Sequence, residues 1–248
     1  MIEVKNLSKL FDENKVLSDI SFSISSGQAV TIIGKSGAGK SVLLKCLIGL
    51  VKPDVGTIYI GNKLINSMNF RQLQEVRSNI GMVFQFGALF DSLTVSENIS
   101  LALQKLTKLT KLEIQDRVCD SLRQVDMENT EKLMPSELSG GMKKRIGIAR
   151  AIALQPSYIF YDEPTTGLDP VMTDAINRLI NKFQKNDGVT SVIITHEMRT
   201  INDVADRVLM LHDGGVIFDG DPETMNNTDN LIVQQFITGD STLVEEEK

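Results

Sequence analysis

The stretch GKSGAGKS at residues 34–41 decides the fold, because it matches the pattern G-x-x-x-x-G-K-[ST] at every fixed position. The preceding run AVTIIG is more continuously apolar than the strands before it, as expected of a strand buried on both faces. The following run SVLLKCLIGL has apolar residues at helical spacing. A strand, a glycine-rich loop and a helix in this order form the P-loop that wraps phosphates. The sequence therefore predicts an α/β fold built around a P-loop.

Each residue type in this loop suits one task in holding a nucleoside triphosphate. Gly37 and Gly39 let the backbone N–H groups approach the phosphates, Lys40 reaches the β and γ oxygens, and Ser41 offers its hydroxyl to Mg²⁺. The following helix adds its positive N-terminal dipole. The predicted nucleotide-binding residues of the loop are Gly34, Lys35, Ser36, Gly37, Ala38, Gly39, Lys40 and Ser41.

A pair of carboxylates follows a second apolar strand, in YIFYDE at residues 158–163. The strand delivers Asp162 and Glu163 to its C-terminal end, which is the edge where ligands of open parallel sheets bind. Asp162 is the expected Mg²⁺ ligand, and Glu163 is the expected general base for the attacking water. A P-loop together with this carboxylate pair predicts an enzyme that hydrolyses a nucleoside triphosphate.

Composition limits the class of partner. The 248 residues carry 26 Lys+Arg against 32 Asp+Glu, a net charge of −6, which argues against a nucleic-acid binder. Cys46 and Cys119 lie in no metal-ligand spacing, so we expect two reduced structural thiols. The N-terminus has no signal-peptide core, and no apolar run approaches the roughly 20 residues of a membrane span. We expect a soluble chain that contacts a membrane only through a partner.

The rest of the chain falls into segments with different predicted secondary structure. The first thirty residues read as short alternating strands, and residues 86–145 read mostly as helix, with a capping box at Thr110 and Glu113. Strands and helices then alternate, which predicts a parallel sheet covered on both faces. In this part the run RTINDVADRVLML at residues 199–211 is interpreted as a helix, and Asp221-Pro222 as a helix start.

Several further residues complete one pattern. Gln85 follows a short apolar strand, His196 ends the strand SVIIT, and Asp169 lies in TTGLD, just after the carboxylates. The most specific element is LSGG at residues 138–141, ahead of a helix and about twenty residues before the carboxylate strand. Together these residues resemble the ATP-binding cassette (ABC) ATPases, and the resemblance runs over residues 2–238.

The resemblance implies a fold and a dimer. The fold is a RecA-like P-loop core with an N-terminal antiparallel β portion and a helical subdomain inserted at residues 86–150, all within a single domain at residues 1–238, followed by an acidic tail at 239–248. Two copies of the family's cassettes pair head to tail. Ser139, Gly140 and Gly141 of one chain are then expected to contact the ATP of the other, with Asp169 at the dimer seam.

The resemblance also assigns the catalytic roles, with ATP and Mg²⁺ as cofactors. Lys40, Gln85, Glu163 and His196 are the expected catalytic residues, His196 as a sensor of the γ-phosphate. Their work is to position charge around the transferred phosphoryl group. The expected Mg²⁺ ligands are Ser41, Gln85 and Asp162. Phe11 matches the aromatic that stacks on adenine, where the family more often has tyrosine, and a core or surface aromatic is the alternative. The basic run Lys143, Lys144 and Arg145 is interpreted as a helix face without a role.

Two sequence features indicate a subfamily of the ABC ATPases. Met142 stands where most cassettes have glutamine after LSGG, and the segment GALF at residues 87–90 follows Gln85, where the family has its groove for the transporter's coupling helix. These features resemble the ATPase of the Mla/MCE-associated phospholipid transporters. The implied partners are a MlaE-like permease and an MCE lipid-binding protein, at the cytoplasmic face of the inner membrane. An importer of a polar solute, and a DNA-repair or translation-type ABC protein, remain as alternatives. An inactive scaffold does not fit, because Lys40, Glu163 and His196 are intact.

Overall fold

The computed structural model describes residues 1–12, 14–240 and 242, so most of the predicted acidic tail lies outside the described residues. The chain forms two compact units. The first contains Met1–Leu73 and Val192–Lys248, and the second contains Gln74–Ser191. Helix α2 (Phe70–Arg77) and strand β8 (Thr190–Ile194) carry the chain from one unit to the other. The predicted boundaries at residues 86–150 and 238 remain predictions.

An antiparallel sheet opens the first unit. Its strands are β1 (Ile2–Phe11), β2 (Asn14–Ile24), β4 (Val55–Ile60) and β5 (Lys63–Leu64), in the order β2-β1-β4-β5. Apolar residues alternate along β2, so that Leu17, Ile20, Phe22 and Ile24 are buried while intervening polar residues face solvent. The predicted N-terminal antiparallel portion is therefore confirmed.

Strand β3 (Ala29–Ile33) is buried at every residue, as its continuous apolar run predicts. It pairs in parallel with β9 (Arg207–His212), which pairs in turn with β10 (Gly215–Gly220) in antiparallel orientation. The helix predicted over residues 199–211 is wrong in its second half, because α7 (Met198–Val204) ends before β9 begins. The cause is Asp206: its carboxylate accepts from the Ala29 N–H at 2.8 Å and its own N–H donates to the Ala29 carbonyl at 2.9 Å. These bonds fix the following residues beside β3.

The helices of the first unit cover these strands. They are α1 (Lys40–Leu47), α7, α8 (Pro222–Asn226) and α9 (Leu231–Thr238). Asp221 caps α8 by accepting from the Thr224 N–H at 2.7 Å, which confirms the predicted helix start. A fully buried cluster joins strands and helices, and consists of Ile33, Ile201, Val208, Met210, Met225 and Val233. Burial of such side chains contributes about 1.5–3 kcal/mol each, so this cluster stabilises the position of β3, the strand that leads into the P-loop.

The second unit combines parallel strands with most of the helical segment. Its strands β6 (Ile80–Val83) and β7 (Tyr158–Asp162) pair in parallel, and β8 begins beside β7. Its helices are α3 (Val95–Leu106), α4 (Lys111–Gln124), α5 (Gly140–Ile152) and α6 (Pro170–Asp187). Both α3 and α4 begin with a reciprocal capping box, Thr94 with Glu97 and the predicted Thr110 with Glu113. Within the described residues, no helix is both long and apolar enough to cross a membrane.

Candidate nucleotide site

The glycine-rich loop in the first unit has positive φ at Gly37 and Gly39, the backbone conformation that favours glycine. Gly39 has φ +97°, and a Cβ there would lie 2.8 Å from the carbonyl oxygen of Val16. Gly37 has φ +84°, but a Cβ there would meet nothing within 4 Å. Gly39 is therefore required by close packing against β2, whereas Gly37 leaves open space beside the loop backbone. An open concavity of backbone N–H groups is what a phosphate chain needs.

The side chain of Lys40 and the start of α1 converge on the same loop. The Lys40 ammonium donates to the carbonyl of Gly34 at 2.6 Å and of Lys35 at 2.9 Å. Helix α1 begins at Lys40, and Gly39 before it has no side chain to cap the helix, so the positive end of the helix dipole faces the loop. These features fit the phosphates of a nucleotide, and Ser41 is exposed in the same turn.

Lys35, inside the loop, contacts the last helix of the first unit. Its ammonium donates to the side-chain oxygen of Gln235 on α9 at 2.6 Å. Lys35, Ser36 and Gly37 are exposed, whereas Ala38 is buried. The tip of the loop thus faces solvent while its base is held by the core.

Two other predicted residues of the first unit lie at the end of a strand or shortly after it. Phe11 is the last residue of β1 and 44% exposed, and the Lys9 ammonium lies 5.1 Å from its ring centroid. An adenine stacking on the face of the Phe11 ring that the Lys9 ammonium covers would have to displace that ammonium.

His196 lies two residues beyond β8 and is exposed. The Thr195 hydroxyl before it accepts from the Glu197 N–H at 3.1 Å, which shapes the turn into α7.

The carboxylates of the second unit follow β7 as predicted. Residues 158–161 are buried, Asp162 ends the strand, and both Asp162 and Glu163 are half-buried. Glu163 has φ +50°, the left-handed conformation that residues other than glycine adopt at some cost. The Thr166 hydroxyl donates to the Glu163 carboxylate at 2.8 Å. The candidate base is therefore held in one orientation by its own loop.

The SGG motif forms the start of α5. Ser139 is the N-cap, and its hydroxyl accepts from the Met142 N–H at 3.3 Å. Ser139 and Gly140 are exposed, but Gly141 is buried, and a Cβ there would overlap the terminal methyl group of Met172. Ser139 and Gly140 therefore present an exposed helix N-terminus, while Gly141 permits the close packing of α5 on α6.

Asp169 caps α6, since its carboxylate accepts from the N–H groups of Val171 and Met172, each at 2.9 Å. The neighbouring Val171 is 78% exposed. Asp169 is therefore the N-cap residue of α6. Its predicted place at a dimer seam remains a prediction.

The loop that carries Gln85 is fixed by α5. Gln85 is half-buried two residues after β6, and the turn that follows is closed by a 2.9 Å bond from the Gly87 N–H to the Phe84 carbonyl. The Arg150 guanidinium donates to the carbonyls of Gly87 at 2.8 Å and Ala88 at 2.7 Å. Burial lowers the pKa of Arg150 from its usual range.

The predicted metal ligands are oxygen donors of three kinds: the Ser41 hydroxyl, the Gln85 amide and the Asp162 carboxylate. Such donors suit Mg²⁺, which binds few protein ligands and completes its octahedron with phosphate oxygens and water. Among residues 1–12, 14–240 and 242, no group of three or more His, Cys, Asp or Glu side chains forms a ready-made metal centre. The donor set therefore fits a metal ion that arrives with its nucleotide.

Comparison with known proteins decides the family. The family model described as ABC transporter matches residues 17–166. The chain is 41% identical over 242 residues to the methionine import ATP-binding protein MetN 1 of Bacillus cereus, covering 96% of this chain and 70% of the relative. It is 38% identical over 256 residues to the chloroplastic protein TRIGALACTOSYLDIACYLGLYCEROL 3 of Arabidopsis thaliana, covering 96% and 74%. The chain belongs to the ABC transporter ATPase family.

Solved structures agree with this family. A dimeric ATP-binding cassette in a post-hydrolysis state, bound to ADP and Pi, superposes with a TM-score of 0.83 at 33% identity, covering 90% of this chain and 99% of that one. cbiO1 of Clostridium perfringens, part of the cbiONQ transporter complex, superposes with a TM-score of 0.85 at 30% identity, covering 100% and 98%. The cassette is therefore an ATPase with the P-loop fold predicted from its sequence, and it is the ATP-binding subunit of a transporter.

The second unit of the cassette also carries an open groove of about 660 Å³. Its lining includes the apolar residues Phe84, Ala88, Phe90 and Leu106 and the basic residues Arg77 and Lys105. Phe86, which lies between the lining residues Phe84 and Ala88 in the sequence, is 78% exposed. An apolar groove with basic residues is suited to an amphipathic helix that carries an acidic group.

Each unit of the cassette contains some of the site residues predicted from the sequence. The first holds the P-loop residues with Phe11 and His196, and the second holds Gln85, Ser139, Gly140, Gly141, Asp162, Glu163 and Asp169. Sequence reasoning missed Thr166 and Arg150, and it interpreted Lys144 as part of a basic face, although Lys144 is buried. The helical register contained a signal, because Lys144 lies three residues after buried Gly141 and four before buried Ile148.

Proposed function

We propose that the cassette is the ATPase of an ABC transporter for phospholipids, of the Mla/MCE type. The observation that carries this proposal is the groove of the second unit, where Ala88 and Phe90 of the GALF segment contribute to the lining. This segment is one of the two features that resemble the phospholipid subfamily. The Arabidopsis thaliana relative, whose name refers to a galactolipid, gives further support.

In this proposal the cassette works as a pair with two Mg·ATP. Each P-loop holds one ATP through Gly34 to Ser41, with Phe11 against the adenine, and Ser139, Gly140 and Gly141 of the other copy complete the site. The exposed position of Ser139 and Gly140 at a helix N-terminus is suited to a phosphate of another chain. The structural relative, a dimeric cassette bound to ADP and Pi, supports a cassette that binds nucleotide as a pair.

The chemistry proposed for this pair needs positioning and charge. Ser41, Gln85 and Asp162 would hold Mg²⁺, which would supply positive charge to the phosphate oxygens during transfer. Lys40 and His196 direct further donors at the γ-phosphate, and Glu163 accepts the proton of the attacking water. Closure of two copies excludes water and completes the site, so ATP binding is itself the mechanical step.

The partners in this proposal are a MlaE-like permease and an MCE lipid-binding protein. The permease inserts a coupling helix into the groove and attaches the cassette to the cytoplasmic face of the inner membrane. The cassette then contacts the membrane only through the permease, and it binds no nucleic acid. A net charge of −6 is consistent with the latter.

Affinity capture from detergent-solubilised membranes tests the choice of cargo. We expect tagged cassette to recover a MlaE-like permease together with an MCE protein. Leu106→Glu, which places a charge in the groove, is expected to lose the permease. Leu112→Glu, at an exposed leucine of α4 outside the groove, is the matched control and is expected to retain it. Recovery of an amino-acid permease instead would refute the phospholipid assignment.

An importer of a polar solute is the second candidate. It is supported by the 41% identity to the methionine import protein of Bacillus cereus and by 39% identity over 238 residues to a probable ribonucleotide transport ATP-binding protein of Mycobacterium leprae, which covers 96% of this chain and 69% of the relative. This candidate predicts a capture that contains a solute permease without an MCE protein.

The catalytic roles are tested separately. We expect Glu163→Gln to bind Mg·ATP, to lose hydrolysis and to sediment as a dimer at saturating Mg·ATP. A normal rate of hydrolysis in this variant would refute the base assignment. A purely monomeric variant under these conditions would count against the paired site.

A further inference from the structure

Lys144 on α5 is buried in a way that a surface lysine is not. It is 5% exposed, and among residues 1–12, 14–240 and 242 it is the only Lys, Arg, Asp or Glu that is buried. A buried ammonium is costly unless its donors are satisfied. The Lys144 ammonium donates to the Thr166 carbonyl at 2.7 Å and lies 3.3 Å from the Glu163 carbonyl, which also accepts from it.

Both carbonyls belong to the loop that carries the candidate base. Thr166 binds Lys144 through its carbonyl and binds the Glu163 carboxylate through its hydroxyl, at 2.8 Å. Glu163 is also in the left-handed conformation, with φ +50°, so its backbone needs support from its surroundings. The ammonium therefore holds the two ends of a short turn, and the turn holds the carboxylate.

The other end of this linkage is the start of α5. Lys144 lies five residues after Ser139, about 7 Å along the helix axis at about 1.5 Å per residue. A helix of this length moves as a rigid rod over one and a half turns. Lys144 thus joins Ser139, the residue proposed to meet the ATP of the second copy, to the loop of Glu163 in its own chain.

We infer that Lys144 is a positioning residue for ATP hydrolysis, which holds the loop at residues 163–166 in register with the N-terminus of α5. The inference rests on the proposed roles of Glu163 and Ser139. Lys144 acts through Glu163 and does not contact the nucleotide. A shift of α5 when the second copy's phosphate binds is transmitted to the carboxylate of the first.

The test compares variants of the full chain in steady-state hydrolysis and in binding of a fluorescent ATP analogue. Lys144→Met keeps the unbranched side chain and removes the donors. We expect kcat to fall by about tenfold to a hundredfold, as small misplacements of a catalytic group do. KM and the analogue's affinity are expected to stay within about twofold, since the P-loop is unchanged.

Three further variants make the result specific. Lys144→Gln restores a donor and is expected to recover most of kcat. Thr166→Val leaves the ammonium in place and removes only the hydroxyl bonded to Glu163, and it is expected to lower kcat at unchanged affinity even where Lys144→Met does not fold. Lys182→Met is the matched control. Lys182 is an exposed residue of α6, and its ammonium also donates to a backbone carbonyl, that of Gln124, at 3.0 Å.

The outcomes separate this inference from the proposed function. If Glu163→Gln is inactive while Lys144→Met or Thr166→Val hydrolyses ATP like the parent chain, the positioning role is refuted and the base assignment stands. Loss of affinity in parallel with kcat, or no recovery with glutamine, also refutes it. If Glu163→Gln hydrolyses ATP normally, the base assignment and the Lys144 inference fall together.

Discussion

The guanidinium of Arg150, near the end of α5, donates to the backbone carbonyl of Gly87 at 2.8 Å and to that of Ala88 at 2.7 Å. These bonds hold the loop after Gln85, which is a residue proposed to reach Mg²⁺. We expect Arg150→Met to lower the free energy of unfolding by about 1–3 kcal/mol, because charge-assisted bonds are lost and two carbonyls are left without that donor. Urea denaturation measures the change. Arg178→Met, at a guanidinium 80% exposed in its pair with Asp174, is the control, expected to change stability by at most about 0.5 kcal/mol.

Substitution by alanine is expected to cost different amounts of stability at Gly37 and Gly39 of the P-loop. Gly39→Ala places a Cβ 2.8 Å from a backbone oxygen at φ +97°, so both strain and a clash oppose folding. In Gly37→Ala the Cβ meets no atom within 4 Å, so the only cost is the backbone strain of alanine at φ +84°. We expect a loss of roughly 1–2 kcal/mol for Gly37→Ala and a larger loss for Gly39→Ala. Equal midpoints in urea for the two variants would contradict the packing of Gly39 against β2.

The capping boxes of α3 and α4 predict a dependence of stability on pH. The Thr94 and Thr110 N–H and hydroxyl groups donate to Glu97 and Glu113 and lower the pKa of each carboxyl below its ordinary 4.5. A carboxyl whose pKa is lower in the folded than in the unfolded protein stabilises the fold at pH values above its unfolded pKa. This stabilisation is lost as the pH falls through the folded pKa. We expect Glu97→Gln with Glu113→Gln to have a lower Tm than the parent chain at about pH 7, and the gap to close below about pH 4.5.

The matched control for this pair is Glu75→Gln with Glu128→Gln, since neither of these residues caps a helix. The control double variant should keep the Tm of the parent chain across the same pH range. A gap that widened on acidification would contradict the capping assignment.

The exposed side chain beside Asp169 predicts a way to separate the copies. Val171 is 78% exposed next to the α6 cap, at the expected dimer seam. In the Glu163→Gln background, Val171→Asp adds a second carboxylate near Asp169 in each copy. We expect it to weaken ATP-dependent dimerisation by about tenfold or more, because like charges across an interface oppose association. Leu112→Asp, on α4 and 69% exposed, is expected to leave the dimer unchanged. Analytical ultracentrifugation gives both results.

The two cysteines are expected to react differently. Burial raises the pKa of the Cys46 thiol to about 11, and its side chain has no exposed area. Cys119 is half-buried on α4. Because the thiolate is the reactive form, we expect a thiol reagent to modify only Cys119 in the native protein and both cysteines in denaturant. Rapid native modification at two sites, located by mass spectrometry, would contradict the burial of Cys46.

The features that sequence predicted well are those encoded locally. The P-loop, the buried run before Asp162 and the capping box at Thr110 each depend on neighbouring residues, and the structure has all of them. The boundary between α7 and β9 was wrong, since it depends on bonds between Asp206 and Ala29, which are distant in the sequence. Burial of Lys144 depends likewise on carbonyls about twenty residues further along. A lysine in a basic run is usually solvated, so no local pattern outweighed that expectation.

Thr166 and Lys144 link the loop of Glu163 to α5, the helix whose N-terminus is proposed to meet the nucleotide of a second copy. Through this linkage, engagement of a second cassette would set the orientation of the base. We expect a single cassette to hydrolyse ATP slowly, so that the consumption of ATP in a cell depends on how many cassettes a permease holds side by side.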